Sequence, residues 1–350
     1  MYCNNFYKKG LLNLIILFSF NAKPTFSQQK SEIFTKIDSL ISAKTNFPFN
    51  GIILISENKK NVYSITKGVS DLENGTLLEK NSQFVVGSIS KQFTAVLLLQ
   101  QYDKGKVQLN SPIKKYLPKL KQSWADSVTV HQLLTHTHGI TSLDKPLAFK
   151  TGTQYSYSQI GYDLLAKIIE NVSGKSFAEV SNDLFKKYKM YNTFCPFTRN
   201  HNNLVKGYSE HENGKLVFET KTFENYVAAG GFISTAADLT LWNDLLYHGK
   251  FLKPTTNLMM QTKQPVATRQ HPLFGITNYG YGITIDTKEN ILQLGQTGYS
   301  PGFISMSFYF PATQTSLVIL DNFVWHTNDL KKTFYYHTEI LKILRESLKD

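Results

Sequence analysis

Apolar positions fall into helical spacing in several stretches of the chain and into strict alternation near its end. Residues 30–44 carry Ile33, Ile37, Leu40 and Ile41, which share one helix face. Residues 88–102 are helical again, with Phe93, Val96, Leu97 and Leu99 in a largely apolar run, and 162–172 and 237–246 predict two more helices. These last two lie in a middle region, about 105–255, that reads mainly as helices and loops. Strand signals flank it. Residues 49–56 and 62–69 predict two strands joined by 57–61 as a hairpin. Near the end Ile304, Met306, Phe308 and Phe310 alternate with Ser305, Ser307 and Tyr309, the pattern of a half-buried strand. Further strands are expected over 279–286, 291–295 and 315–323, with 311–314 as a turn. A final helix repeats Leu330, Phe334, His337, Leu341, Leu344 and Leu348 in steps of four and three.

Strands at both ends around a helical middle predict an α+β fold: one antiparallel sheet built from both chain ends and flanked by helices, with a mainly helical subdomain inserted. The sheet region is expected over about 30–85 and 275–350, and the helical region over about 88–255. No internal repeat or low-complexity linker argues for independent domains.

The first residues change the picture. Lys8 and Lys9 precede the apolar run 10–20, and a polar stretch follows to residue 29, the layout of a secretory signal peptide ending near Ser27. The run is short for a membrane span; an uncleaved anchor or a buried helix is the alternative. Residues 1–27 are therefore expected to be a leader and 28–350 the working domain, secreted or periplasmic. Cys3 lies before the apolar run, where a lipid-accepting cysteine would not. Cys195 reads as a small buried apolar residue. Two cysteines exclude a disulfide framework and a Cys-rich zinc site.

Lys and Arg number 38 against 26 Asp and Glu, a net charge of +12 that raises the question of nucleic acid. The basic residues are scattered in short clusters such as Lys59–Lys60 and Lys331–Lys332, with no nucleic-acid-binding motif, so no such partner is expected. A solvated lysine surface and peripheral attraction to an anionic envelope both fit the charge.

Candidate chemistry centres on Ser88 and Lys91. At the start of a helix a spacing of three puts both side chains on one face. A nearby amine can assist deprotonation of serine, and a helix N-terminus offers free N–H groups where an oxyanion would form. Alone, the pair also fits an N-cap serine beside a solvated lysine. Three other blocks give it context: 130–139, with His131, His136 and His138; 155–165, with Tyr157 and Gln159; and 229–239, from Ala229 to Leu239. Together and in this order they resemble the class C β-lactamase-like serine hydrolases, a family that also holds DD-peptidases, penicillin-binding-protein-like hydrolases and esterases. The resemblance covers about 30–345.

That resemblance implies Ser88 as the acylated nucleophile, Lys91 as its partner and Tyr157 as the residue exchanging protons with nucleophile and leaving group. Gln159 stands where the family's Y-x-N element has asparagine. Gln296, Thr297 and Gly298 match the K-T-G or H-x-G element, with a neutral glutamine in place of the cationic or imidazole residue, and Tyr299 would add its N–H to that of Ser88 as an oxyanion hole. Gln159, Gln296, Thr297, Gly298 and Tyr299 are thus the expected substrate-binding residues. The lost charge weakens attraction for a substrate carboxylate, provided no other basic side chain fills the gap. The implied function is a secreted hydrolase of small esters or amides, esterase-like with weak β-lactamase activity and needing no cofactor. The alternatives are a DD-carboxypeptidase or endopeptidase on cell-wall peptides, and a non-catalytic binding protein of the same fold. A rival nucleophile is Ser300 in a G-x-S-x-G sequence, which as an elbow must join a strand to a helix. The three histidines lack the spacing and carboxylates of a zinc site, so no metal is expected.

Overall fold

Two left-handed residues, Asn58 and Lys59 (φ 48° and 67°), close the first hairpin, the pair of positive dihedrals that a two-residue turn needs to match strand twist. They join the strands Gly51–Glu57 and Lys60–Lys67. The computed structural model describes Met1 and residues 26–349 apart from 197, 199, 200, 202 and 222–225. In it this hairpin is one edge of an eight-stranded sheet. The order across the sheet is Lys60–Lys67, Gly51–Glu57, Thr315–Asp321, Phe303–Phe310, Gln293–Ser300, Thr284–Asp286, Gly275–Tyr279 and Thr268–His271. Every neighbouring pair is antiparallel. The expected α+β architecture, a sheet contributed by both chain ends, is what the chain forms.

Side-chain alternation sorts the central strands between two cores. Ile53, Ile55, Leu317, Ile319, Met306 and Phe308 face the terminal helices Phe26–Ser42 and Tyr335–Glu346, where they meet Ile37, Ile41, Ile340 and Leu344. Ile52, Leu54, Val318 and Leu320 face the other way, into the core of the helical region. That region contains Ser90–Asp103, Val130–Thr135, Ile160–Ser173, Phe177–Lys187, Ala236–Tyr247 and Pro254–Gln261.

Four sequence expectations are corrected. Phe303–Phe310 is buried along its whole length, not half-buried: Ser305 donates to Val86 O (2.8 Å) and Ser307 to Asn243 Oδ1 (3.1 Å), so the polar positions face the helical layer with their hydroxyls satisfied. The strand expected over 279–286 is two, Gly275–Tyr279 and Thr284–Asp286. Between them Gly282 (φ +73°) passes so close to the helix Ser90–Asp103 that a Cβ there would lie 2.7 Å from Lys91 O. The final helix breaks at Phe334 (φ −92°, ψ 17°) into Leu330–Thr333 and Tyr335–Glu346. The middle also holds short strands, Tyr208–Glu210 and Leu216–Phe218, extending a small sheet with Phe323–Val324. Among the described residues no helix is long and apolar enough to cross a membrane, and the leader's apolar run lies outside them.

Ile53 is fully buried beneath the terminal helices, so Ile53→Ala should cost about 2–5 kcal/mol in urea unfolding, the range for emptying a packed aliphatic site.

Candidate active site

Ser88 is the middle residue of a single 3-10 turn, Gly87–Ile89, that runs into the helix Ser90–Asp103. Lys91 sits in the first turn of that helix and is completely buried. Its Nζ donates to Ser88 Oγ (3.2 Å), to Gln159 Oε1 (2.5 Å) and to Ala229 O (2.8 Å), three acceptors for three ammonium N–H groups. Ala229 belongs to a wide turn, Val227–Gly231, whose neighbouring carbonyl, Ala228 O, accepts from Thr94 one helical turn after Lys91 (2.6 Å). Burial holds the Lys91 ammonium below its usual pKa, Tyr157 pulls it back up, and Arg269 pushes it further down.

Tyr157 completes the cluster. Its ring centroid lies 4.7 Å from Lys91 Nζ and 4.4 Å from the Arg269 guanidinium carbon. Burial alone would raise its pKa, but the charges of Lys91 and Arg269, with a hydrogen bond from Ser88, hold the phenol below its usual value of 10.0. His136 pins the segment that carries it. His136 takes a left-handed conformation at the end of the helix Val130–Thr135; its carbonyl accepts from Ser156 N (2.8 Å) and its Nδ1 from Ser158 N (3.2 Å), one on each side of Tyr157. Because Nδ1 accepts, the ring proton is on Nε2, which faces Tyr279 Oη (3.3 Å). Burial, together with the charges of Lys91, His138 and Arg269, keeps this imidazole neutral. Gln159 precedes the helix Ile160–Ser173 and reaches Lys91 directly.

The strand Gln293–Ser300 runs past the serine turn at backbone contact. A Cβ on Gly87 (φ +53°) would lie 2.5 Å from Tyr299 N, and one on Gly298 would lie 2.1 Å from Val86 O. Thr297 N–H leaves the sheet ladder to bond Gln296 Oε1 (3.2 Å), and Tyr299 N–H, two residues on, shares that edge. The partner strand on this side, Thr284–Asp286, pairs only as far as Gly295, which leaves the edge open beside Ser88.

A family profile described as Beta-lactamase matches residues 49–338. The chain belongs to the beta-lactamase family. With that membership it is a β-lactamase-related hydrolase, as the motif resemblance implied. It is 26% identical over 336 residues to a teichoic acid D-alanine hydrolase of Staphylococcus aureus, an alignment spanning 89% of this chain and 79% of the relative. Among solved structures it superposes on FmtA from Staphylococcus aureus with a TM-score of 0.73 at 25% identity, covering 90% of each chain. It also superposes on the D-amino acid amidase of Ochrobactrum anthropi SV3 with a TM-score of 0.77 at 19% identity, covering 91% of this chain and 99% of that one.

Within this family frame Gln296 is placed unexpectedly. It is fully buried, its Oε1 accepting from Thr284 Oγ1 (3.1 Å) and its Nε2 donating to Tyr279 Oη (3.3 Å). These bonds place the amide on the Tyr279 and His136 side of the cluster. Thr297 is half-buried and Tyr299 is 40% exposed at the cleft. A positive charge does lie at the cluster, on Arg269 of the edge strand Thr268–His271, against the Tyr157 ring. Sequence reading missed it because nothing in its local spacing ties an edge-strand arginine to a tyrosine more than a hundred residues earlier. Arg269 is a basic side chain of the kind on whose absence the expected weak attraction for a carboxylate was conditional.

The remaining candidates sort out by geometry. Ser300 is followed by a tight turn and the antiparallel strand Phe303–Phe310, not by a helix, and its Oγ donates to Gly230 O (3.4 Å), so the elbow reading fails. His131 Nδ1 bonds Tyr281 Oη (2.8 Å) and His138 Nδ1 accepts from Ile140 N (2.9 Å), while His136 goes to Tyr279 and Ser158. Among the described residues no three His, Cys, Asp or Glu side chains converge as a metal site would need. His138 Nε2 would lie 2.7 Å from a Cβ at Gly161, so the ring packs directly against the helix start. Cys195 is buried, and burial with the Glu170 carboxylate pushes its thiol up to about 12, as befits an inert core residue.

The close approach at Gly87 makes a testable pair. Gly87→Ala should add about 1–2 kcal/mol of left-handed strain and displace the serine turn from Tyr299, cutting ester turnover about a hundredfold. Gly75→Ala, at a similar φ of +66° with nothing within 4 Å, should lower the melting temperature and leave turnover near wild type.

Proposed function

We propose that this hydrolase releases a D-amino acid, D-alanine foremost, from an ester or amide in the cell envelope through an acyl-enzyme on Ser88. One observation carries the reading: a buried lysine ammonium bonded at once to Ser88 Oγ, Gln159 Oε1 and Ala229 O, beneath a tyrosine whose phenol is held below its usual pKa. The D-alanine specificity is supported by the relative that hydrolyses D-alanine from teichoic acid and by the fold shared with a D-amino acid amidase. An envelope location rests on that same relative and on the leader-like first residues.

The chemistry follows from the contacts. Tyr157, as phenolate stabilised by Lys91 and Arg269, takes the proton of Ser88 as Oγ attacks the carbonyl carbon. The carbonyl oxygen becomes an oxyanion at the N–H groups of Ser88 and Tyr299. Collapse breaks the bond to the leaving oxygen or nitrogen, which accepts the proton from Tyr157. Water then attacks the Ser88 ester, gives its proton to Tyr157, and the proton returns to Oγ as the acid departs. Lys91 fixes Ser88 and Gln159 and carries the positive charge that the phenolate needs. Gln159 holds the ammonium in place with its Oε1.

Ser88→Ala should abolish both D-alanine release from D-alanyl esters and fluorophosphonate labelling, whereas Ser300→Ala should retain both; a modified Ser300 in the peptide map would refute the assignment. Tyr157→Phe should lower turnover about a hundredfold. Since the active form of Tyr157 is deprotonated and its pKa is depressed, wild-type kcat/KM should rise with pH along a limb lying below 10 and fall as pH drops through it.

A further inference from the structure

Arg269 stands out because its chemistry is unspent. The guanidinium is half-buried, stacked over Tyr157, and makes no hydrogen bond or ion pair with any described residue, although it carries five N–H donors and a permanent charge. An arginine whose guanidinium carbon lies 4.4 Å from the Tyr157 ring centroid and whose N–H groups meet no described partner, beside an acylation centre, has donors free for a ligand. Two other groups near Tyr157 cannot serve in this way, since Lys91 has acceptors for all three N–H groups and the His136 ring is neutral and enclosed.

We propose that Arg269 is a specificity-determining residue of this site, whose guanidinium receives an anionic group carried on the leaving side of the substrate. The proposal rests on the Ser88 reading above. The leaving side is indicated because Tyr157, on which Arg269 stacks, is the residue that hands its proton to the leaving atom. The planar fork matches a carboxylate or a phosphate oxygen pair equally well. A D-alanyl ester of a polyol phosphate and a D-alanyl ester of a hydroxy acid both place such an anion within a few bonds of the scissile ester. Gln296 does not supply the charge for this role, since its amide is neutral.

Three D-alanyl esters differing only in the leaving group test it: those of glycerol phosphate, of lactate and of glycerol. In the wild type the anionic esters should exceed the glycerol ester in kcat/KM by about ten- to a hundredfold, the range of one charge-assisted hydrogen bond. Arg269→Gln should collapse that ratio toward one, and Arg269→Lys should restore part of it, mainly through KM. Preference for the phosphate or for the lactate ester identifies the source of the anion. A ratio unchanged in Arg269→Gln would overturn the proposal, as would equal loss on all three esters, which would make Arg269 a support for Tyr157 alone. A second measurement does not need turnover. Titrated with inorganic phosphate and with acetate, the wild type should bind at least one of them about tenfold or more tightly than Arg269→Gln does. Equal binding would refute the anion site even if Ser88 proved not to be the nucleophile, whereas weaker binding by the variant in a chain that hydrolyses none of the esters would overturn the Ser88 reading and leave the anion site standing.

Discussion

A lysine ammonium with no exposure to water must find all its partners inside the protein, and at Lys91 that demand organises the cleft. An unpaired buried charge costs several kcal/mol, so the three acceptors have to arrive together. They come from Ser88 one turn back, Gln159 some seventy residues on, and the Ala229 carbonyl much further along. The helix Ser90–Asp103, the start of Ile160–Ser173 and the turn Val227–Gly231 are thereby fixed on one another before any substrate is present. The wide turn with its left-handed entry at Tyr226 fits this need, because it aims successive carbonyls, Ala228 and Ala229, at Thr94 and Lys91.

Around the ammonium lies a shell that is aromatic, with a second cation at one point. By centroid the neutral His136 ring packs 4.5 Å from Tyr157, 5.2 Å from Tyr162 and 5.1 Å from Tyr279, and Tyr157 lies 6.5 Å from Tyr279. Their hydroxyl and ring nitrogens run as a hydrogen-bonded chain from Ser158 N through His136 and Tyr279 to Gln296 and Thr284. This chain ties the helical region to the sheet beside Tyr157. Arg269 is that second cation, against the same phenol ring, and its placement at the sheet edge lets it act on Tyr157 while remaining open to the cleft.

Much of this was legible in the sequence because it is local or periodic. The Ser88–Lys91 spacing, the helix 88–102 and the alternation in the last strands each follow from a few neighbouring residues, and the family resemblance implied that the strand bearing Gln296–Tyr299 lies beside the serine. What was not legible depends on long-range contact. The polar half of Phe303–Phe310 reads as solvent-facing until Val86 and Asn243 are seen to accept its serines. The Ala229 carbonyl leaves no side-chain signature. Arg269 was one basic residue among 38 until the fold set it over Tyr157.

The neutral residue at 296 and the arginine at 269 are best understood as one arrangement. Lys91 is already pushed below its usual pKa by burial and by Arg269, with Tyr157 as the compensating anion. A lysine at 296 would add a third positive charge inside the same shell, without the three acceptors that Lys91 has, and the low dielectric there magnifies repulsion. It would drive Lys91 further toward the neutral form and remove the glutamine amide that bonds both Thr284 and Tyr279. A neutral side chain that can both donate and accept suits the interior position. The charge is better carried at the edge, on a side chain that stacks on the phenol and keeps its donors for the substrate. Moving the cation outward to the edge strand preserves the field at Tyr157 without burying another unpaired charge.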